Sequence, residues 1–186
     1  MFLDDLLTDN KLSLYKLSQQ TLVPYSTLTD IRSGKAKLEN CSVKVVKRIA
    51  DAFRLSVNEL LDYAEDFEIF RCNTLHHLKY SQRDELCFLN ELLSSERIEY
   101  YFKMHSYSKA LYLLALADYL CDKHHVKRVT KYEPLRKLKL KKLLMSNDLL
   151  LIKRVVSEER FSEIISSMMP EFLKYNIVED DLYNVY

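Results

Sequence analysis

Glycine occurs only once in the 186 residues of this chain, at Gly34. Phosphate-binding loops, dinucleotide-binding turns and nucleophile elbows each need several glycines where the backbone meets a ligand. Tight β-hairpins depend on Asn-Gly or Asp-Gly turns, and the sequence contains neither dipeptide. A chain with one glycine therefore cannot contain these enzyme motifs. Its apolar residues recur at helical spacing, which predicts an all-α fold.

That glycine closes a pattern typical of two short helices joined by a tight turn. An apolar-periodic segment containing Leu17 is followed by a three-residue break and by a second segment, which starts near Pro24 and ends before Gly34. Proline suits the first turn of a helix because its φ is fixed and its missing N–H is not needed there. Glycine suits the position after the last turn, where φ is positive. The pattern predicts a helix-turn-helix, a motif that reads the DNA major groove.

Five short helices are predicted in the first sixty-odd residues. Ser13 and Ser42 are suited to cap the second and the fourth, and Ser56 with Glu59 has the spacing of a capping box at the start of the fifth. The first three helices are expected at residues 3–8, 14–20 and 24–33. Because none of the five is long enough to be stable alone, they must share one core.

Several elements of this region occur in the order and spacing of one family. They are Leu17, residues 23–28, residues 33–35, Ile49-Ala50 with Phe53, and residues 57–61. Through them, residues 11–61 resemble the Cro/CI-type (XRE-family) helix-turn-helix domain of transcriptional regulators. Two positions depart from the family's usual pattern, which has glycine where this chain has Leu22 and alanine where it has Ser18. A residue other than glycine at this turn costs about 1 kcal/mol if its φ is positive.

The resemblance implies that the third helix lies in the major groove with its N-terminal residues toward the bases. The base-reading positions would be Tyr25, Ser26, Thr29 and Asp30. Hydroxyl groups donate or accept, a carboxylate accepts from the cytosine amino group, and an aromatic ring contacts the thymine methyl. Phosphate contacts position the protein without specifying sequence. They would come from Ser13, Thr27, Ser33, Lys35 and Lys37.

The charge of the first domain agrees with a nucleic-acid partner. Residues 11–48 contain eight Lys and Arg against Asp30 and Glu39, a net charge of +6, whereas the whole chain has a net charge of only +1. Affinity for DNA must therefore come from a local patch. With Arg32 as the one basic residue of the recognition helix, a single copy should bind modestly and with strong salt dependence. We therefore expect a homodimer that occupies two half-sites of double-stranded operator DNA.

The remaining two thirds of the chain predict a second helical domain. An acidic junction at residues 62–72, without a Gly/Pro/Ser-rich linker, separates domain 1–65 from domain 66–186, to which we assign dimerisation or partner binding. Helix starts are indicated at Ser81 with Asp84, at Ser95, and at Ser106 or Ser108. The last of these begins a long helix that is apolar over most of its circumference, as a core helix or a dimer seam would be.

Two charged segments of this domain leave several interpretations open. Residues 123–142 contain nine Lys and Arg against Glu133. This segment could form a second phosphate-contacting surface, a dock for an acidic partner, or an amphipathic helix with a solvated basic face. The chain then ends in an acidic, tyrosine-rich tail with Glu179, Asp180, Asp181, Tyr183 and Tyr186. This tail could pack on the basic segment, cross to a second subunit or bind another protein.

Cysteine and histidine residues give no sign of catalysis or metal binding. The four cysteines lack CxxC spacing, so we expect reduced and mostly buried thiols. The adjacent histidine pairs point about 100° apart on a helix and would chelate a metal poorly. No nucleophile–base set is visible, and we expect no enzymatic activity, no cofactor and no metal. The absence of a signal peptide and of a long apolar run predicts a soluble, cytoplasmic protein.

The function that these observations favour is that of a sequence-specific DNA-binding transcriptional repressor. Its organisation resembles that of the autoregulating antitoxins of toxin–antitoxin pairs, in which one half binds the promoter and the other half binds the cognate toxin. Two alternatives remain open. One is a regulator that responds to a ligand or peptide without a toxin partner, and the other is a helical interaction protein that does not bind DNA.

Overall fold

A computed structural model describes residues 2–80 and 84–182 of the chain. It is 69% helical, and no β-strand occurs in the described ranges, which confirms the all-α fold. The chain divides into two compact units, Met1–Asp66 and Phe67–Tyr186, which we call unit 1 and unit 2. Each unit has its own set of buried apolar side chains.

Unit 1 consists of five short α-helices, as predicted, with one 3₁₀ turn at Leu38–Asn40. The helices are α1 Phe2–Asp9, α2 Leu14–Thr21, α3 Tyr25–Arg32, α4 Val43–Phe53 and α5 Val57–Ala64. Their shared core contains Leu17, Leu28, Ile49 and Leu60, none of which is accessible to solvent. Because each of the last four helices contributes one of these residues, packing rather than intrinsic propensity stabilises the short helices.

The helix ends of unit 1 follow the local signals of the sequence. Ser13 and Ser42 cap α2 and α4 by accepting hydrogen bonds from backbone N–H groups three residues later, and Ser56 with Glu59 forms the full capping box of α5. Gly34 follows α3 with φ of 76°, the conformation that only glycine adopts at no cost. Pro24 differs slightly from expectation, since it occupies the N-cap position and α3 starts one residue later.

Unit 2 contains the remaining helices and a 3₁₀ turn at Thr130–Tyr132. The helices are α6 Phe67–Tyr80, α7 Glu85–Ser94, α8 Arg97–Lys103, α9 Tyr107–Lys123, α10 Glu133–Arg136, α11 Asn147–Val155, α12 Glu158–Ser166 and α13 Pro170–Leu173. Asp84 caps α7, while Ser81 lies outside the described residues. A helix starts near Ser95, as predicted, but the N-cap of α8 is the next residue, Glu96; Ser95 is the C-cap of α7, and its N–H donates to the Glu91 carbonyl. Ser106 precedes α9 without capping it through its side chain.

Helix α9 forms the centre of unit 2. Its residues from Lys109 to Asp118 are all buried, and α6, α7, α8, α10 and α13 pack around it. The aromatic ring of Tyr112 packs against Phe172 at a centroid distance of 5.1 Å. The apolar circumference of α9 is thus used within the core of the unit, the first of the two alternatives that the sequence left open.

The basic segment 123–142 is not an amphipathic helix, and that interpretation is wrong. It contains the end of α9, the 3₁₀ turn, the four-residue α10 and irregular backbone. Several of its cations neutralise acids within the unit: Arg136 donates to both carboxylate oxygens of buried Asp118, and Lys131 lies 2.5 Å from Glu99. These pairs are distant in sequence, so helical periodicity could not reveal them.

The C-terminal tail packs inside unit 2, but its buried acid does not meet the basic segment. Glu179 is buried and accepts from Arg71 (Nε–Oε2 2.7 Å) and from the Tyr112 hydroxyl (2.9 Å). The backbone next to it pairs with the chain around Leu144, where the Leu144 carbonyl accepts from Val178 N–H at 2.8 Å. Tyr183 and Tyr186 lie outside the described residues.

All four cysteines are free, but only Cys121 is buried and Cys87 is exposed, so the expectation of mostly buried thiols was wrong. The described part of the chain contains no group of three or more His, Cys, Asp or Glu side chains arranged to hold a metal ion. In the same residues, no helix has the length and hydropathy required to cross a membrane.

Candidate nucleic-acid interface

The turn between α2 and α3 has an unusual backbone. Leu22 has φ of 54° and ψ of 26°, the left-handed region that disfavours residues with a β-carbon. Its side chain is 73% exposed, so burial contributes little to offset the strain. Leu22 therefore has the positive φ at which a residue other than glycine is strained. This departure from the family pattern thus carries the expected energetic cost.

Side-chain hydrogen bonds hold this strained turn. The Ser18 hydroxyl donates to the Val23 carbonyl at 2.7 Å, and the Thr21 hydroxyl donates to the Leu17 carbonyl at 2.7 Å while accepting from Val23 N–H at 3.3 Å. These bonds fix the entry of α3 relative to α2. Ser18, the second departure from the family pattern, thus supplies a bond across the turn that alanine could not make.

A side chain from outside the helix pair also contacts this turn. Arg48 on α4 donates from Nη1 to the Leu22 carbonyl at 3.4 Å. Sequence reasoning did not identify this contact, because Arg48 and Leu22 are 26 positions apart and no local pattern links them. The guanidinium group places a positive charge beside the turn that precedes the recognition helix.

Helix α3 separates a buried face from an exposed polar face. Leu28 and Ile31 are buried in the core of unit 1. At about 100° per residue, Thr29 and Ser26 lie about 130° and 170° from the middle of this buried face, and Tyr25 lies about 90° from it. These three side chains are exposed, and the Tyr25 ring has 52% of its surface accessible. An aromatic ring and two hydroxyl groups therefore form one outward surface.

Asp30 lies at the edge of this surface and is half-buried. Its carboxylate is 3.7 Å from the Lys35 ammonium group. The pair is largely exposed, so exchanging it for a contact with DNA costs little. Lys37 forms a similar exposed pair with Glu39 at 4.0 Å. The structure thus places two predicted phosphate-contacting lysines on the segment that directly follows the recognition helix.

The hydroxyl groups of this surface have part of their hydrogen-bonding capacity already in use. Thr29 donates to the Tyr25 carbonyl at 2.9 Å, and Ser33 donates to the Asp30 carbonyl at 3.1 Å. Because each hydroxyl has one hydrogen, both groups present acceptor lone pairs outward as long as these bonds persist. Toward a base edge, Thr29 would then accept from an exocyclic amino group.

The other predicted phosphate-contacting residues occupy different environments. The Ser13 hydroxyl caps α2 by accepting from Lys16 N–H at 3.2 Å, and it stays exposed at a helix N-terminus. Thr27 is half-buried. At about 100° per residue it lies about 200° around the helix from Tyr25, and therefore away from the outward surface. Lys44 and Lys47 on α4 are exposed and add positive charge. They contribute to the net charge of residues 11–48, but neither was among the predicted DNA contacts.

Arg32, the basic residue of α3, forms an intramolecular contact. Its Nε donates to Asp4 of α1 at 2.6 Å. This ion pair connects α3 to α1, so the positive charge near the outward surface comes from the lysines and Arg48. Of the predicted base-reading residues, the structure brings Tyr25, Ser26 and Thr29 together and places Asp30 beside them. Their contacts with bases stay a prediction.

Comparison with known proteins agrees with this geometry. Residues 3–66 match the family model of the Cro/C1-type HTH DNA-binding domain, which supports a role in DNA binding and transcription regulation. The match covers α1 from its second residue and all of α5, and so extends beyond residues 11–61 at both ends. Neither the search of curated proteins nor the search of solved structures returned a match.

Proposed function

We propose that this protein is a sequence-specific transcriptional repressor that binds double-stranded operator DNA through α3. The observation that carries the proposal is the polar outward surface of Tyr25, Ser26 and Thr29, away from the buried Leu28 and Ile31, on a helix held by a hydrogen-bonded turn. This surface has the chemistry that reads major-groove base edges. The proposed role is one of binding in the cytoplasm, without catalysis.

In the proposed complex, base contacts form while two ion pairs of the free protein are exchanged for contacts with DNA phosphates. Lys35 leaves Asp30 for a DNA phosphate, and Lys37 likewise leaves Glu39. Asp30 is then free to accept from the amino group of cytosine, while the Tyr25 ring contacts a thymine methyl. Because few phosphates are neutralised by one copy, we propose that a homodimer binds two half-sites and doubles the contact.

Unit 2 would connect this repressor to its regulation. It has a core of its own around α9, and is therefore suited to hold a second binding surface. We propose that the protein is the antitoxin of a toxin–antitoxin pair, with unit 1 on its own promoter and a toxin as protein partner. A tagged full-length chain expressed with its neighbouring genes should copurify with a protein encoded beside it. Absence of that protein would contradict the antitoxin role and leave the repressor role intact.

Fluorescence anisotropy with the DNA upstream of the protein's own gene tests the repressor role. The full-length protein is titrated onto this duplex and onto a scrambled duplex of equal composition, at several salt concentrations. Asp30→Ala is compared with Asp51→Ala, which removes an exposed acid from α4 and changes the net charge equally. We expect preference for the upstream duplex, loss of that preference in Asp30→Ala, and its retention in Asp51→Ala. Equal binding to both duplexes by the unmodified protein would refute the proposal.

A further inference from the structure

The last six residues of the basic segment, residues 137–142, form a row of cations without acidic partners. Upstream of them, Arg128, Lys131 and Arg136 each bind a carboxylate of unit 2. Residues 137–142 contain four lysines and no acid. All four lysines are exposed, and among the residues that the structure describes none has an acidic partner. We call this row the lysine strip; its members are Lys137, Lys139, Lys141 and Lys142.

The backbone of the lysine strip is held by the core of unit 2. The side chains of Leu140 and Leu144 pack against the buried cluster around α9. Leu140 N–H donates to the Tyr175 carbonyl at 3.1 Å, and the Leu140 carbonyl accepts from the Asn176 side-chain amide at 2.7 Å. Leu144 N–H donates to the Asn176 carbonyl at 2.8 Å. The four ammonium groups are therefore concentrated on one ordered segment, where they repel each other and where a bound polyanion would relieve that repulsion.

The ammonium groups of the lysine strip suit a partner whose negative charge repeats along its length. Just before the strip, Arg136 uses its planar guanidinium group to bind one carboxylate, donating from Nε and Nη2 to Asp118 at 3.0 and 2.8 Å. A lysine ammonium group is instead a point charge on a flexible stem and selects little geometry. A DNA strand has one phosphate per about 3.4 Å of helix axis, so several ammonium groups can be matched at once. An acidic protein surface has carboxylates at individual positions and offers no such repeat.

Unit 1 gives an independent reason to choose DNA as the partner of the lysine strip. The match of residues 3–66 to a DNA-binding domain supports a role of unit 1 in DNA binding. Arg32 and Lys35, near the outward surface of α3, are each paired with an acid of unit 1 in the free protein. Because both units belong to one chain, the phosphates of DNA bound by unit 1 are at high effective concentration for unit 2. A second set of phosphate contacts would therefore raise the affinity that unit 1 alone gives.

We propose that the lysine strip is a second DNA-contacting surface, which binds backbone phosphates without reading bases. The inference rests on the proposed function, since it takes the polyanion to be the DNA that unit 1 binds. Phosphate contacts of this kind add affinity and strong salt dependence but no sequence preference. If each of the four lysines neutralises one phosphate, together they contribute about 3.6 to the slope of log K against log salt.

Fluorescence anisotropy of the full-length protein on the scrambled duplex, over a salt series, tests the lysine strip apart from base reading. The Lys139→Gln, Lys141→Gln double variant should make the slope of log K against log salt less steep by about 1.8, and should weaken binding about tenfold at about 0.1 M salt. The control variant, Lys103→Gln with Lys127→Gln, removes two other exposed lysines of unit 2 and should keep the slope. Arginine at positions 139 and 141 keeps the charge and should also keep the slope. Circular dichroism checks that the variants stay folded.

An unchanged slope in the Lys139, Lys141 glutamine variant would overturn the lysine strip, and this is the result expected if an acidic protein is the partner. An equal change in the control variant would also overturn it, because net charge rather than position would then determine binding. The upstream duplex measures the proposed function separately. The strip variant should bind both duplexes more weakly by the same factor. Sequence preference with an unchanged slope would contradict the strip alone, whereas a changed slope without preference would contradict the sequence-specific repressor alone.

Discussion

Replacing Leu22 by glycine should stabilise unit 1, although it removes a large side chain. The left-handed conformation costs a residue with a β-carbon about 1–2 kcal/mol, and Leu22 has φ of 54°. Glycine adopts this conformation freely, but it loses about 0.5–1 kcal/mol more backbone entropy on folding. The side chain is 73% exposed, so little apolar burial is lost. The expected net gain in the free energy of unfolding is about 0.5–1 kcal/mol.

Alanine at the same position separates the backbone effect from the loss of the side chain. Leu22→Ala also removes the isobutyl group but keeps the β-carbon, so the glycine variant should be more stable than the alanine variant by about 1 kcal/mol. At exposed Lys47 inside α4, where φ is helical, the order should be reversed, with alanine favoured over glycine by about 1 kcal/mol. The two pairs therefore predict opposite signs for the same chemical change.

Urea unfolding of the full-length chain, followed by far-ultraviolet circular dichroism, measures these differences. The four variants are compared through the midpoint and slope of the transition to which unit 1 contributes. Equal stability of Leu22→Gly and Leu22→Ala, or a more stable alanine variant, would refute the strained turn. If the alanine variant were more stable than the glycine variant at both positions, general helix propensity rather than the turn would determine the result.

Three further outcomes follow from side-chain contacts. Ser18→Ala should lower the free energy of unfolding by about 1 kcal/mol in urea titration, because it removes the hydrogen bond across the turn; no change would show that the bond is dispensable. Glu179→Ala should cost about 3–5 kcal/mol, because the largely buried Arg71 cation loses its buried carboxylate partner and keeps the more exposed Glu68; thermal unfolding measures this, and a loss below 1 kcal/mol would contradict it. Partial burial raises the pKa of Glu85, but hydrogen bonds from Lys123 and His124 outweigh it and lower that pKa. Its stabilising contribution is thus complete above about pH 4.3 and is lost as pH falls through the lower folded pKa. Urea titrations between pH 7 and 3 should therefore show a weaker pH dependence for Glu85→Gln, and an unchanged one would refute this.

Local signals made unit 1 predictable. Ser13, Ser42 and Ser56 each act within three residues of the N–H groups that they cap, and Gly34 adopts its positive φ just after the C-cap of α3. The apolar spacing around Leu28 also distinguishes the buried from the outward face of the recognition helix. Interactions of this range are visible in a single sequence.

Interactions between distant residues limited the prediction of unit 2. The buried carboxylate of Asp118 binds Arg136, 18 positions later, and Glu179 binds Arg71, which is 108 positions earlier. Charge patterning along the chain placed Arg136 in a basic segment and Glu179 in an acidic tail, although the partner of each residue lies elsewhere. The same limit applies to the interface of unit 1, where the contact of Arg48 with the turn had no local signal.

Selection of binding sites from a random duplex library tests most directly the claim that α3 reads DNA sequence. Full-length protein is used to enrich bound duplexes over several rounds, and the recovered sequences are compared with those recovered by Asp30→Ala. We expect a defined motif for the unmodified protein and relaxed preference at a cytosine-containing position for the variant. Recovery of no motif by the unmodified protein, or of the identical motif by Asp30→Ala, would contradict this claim.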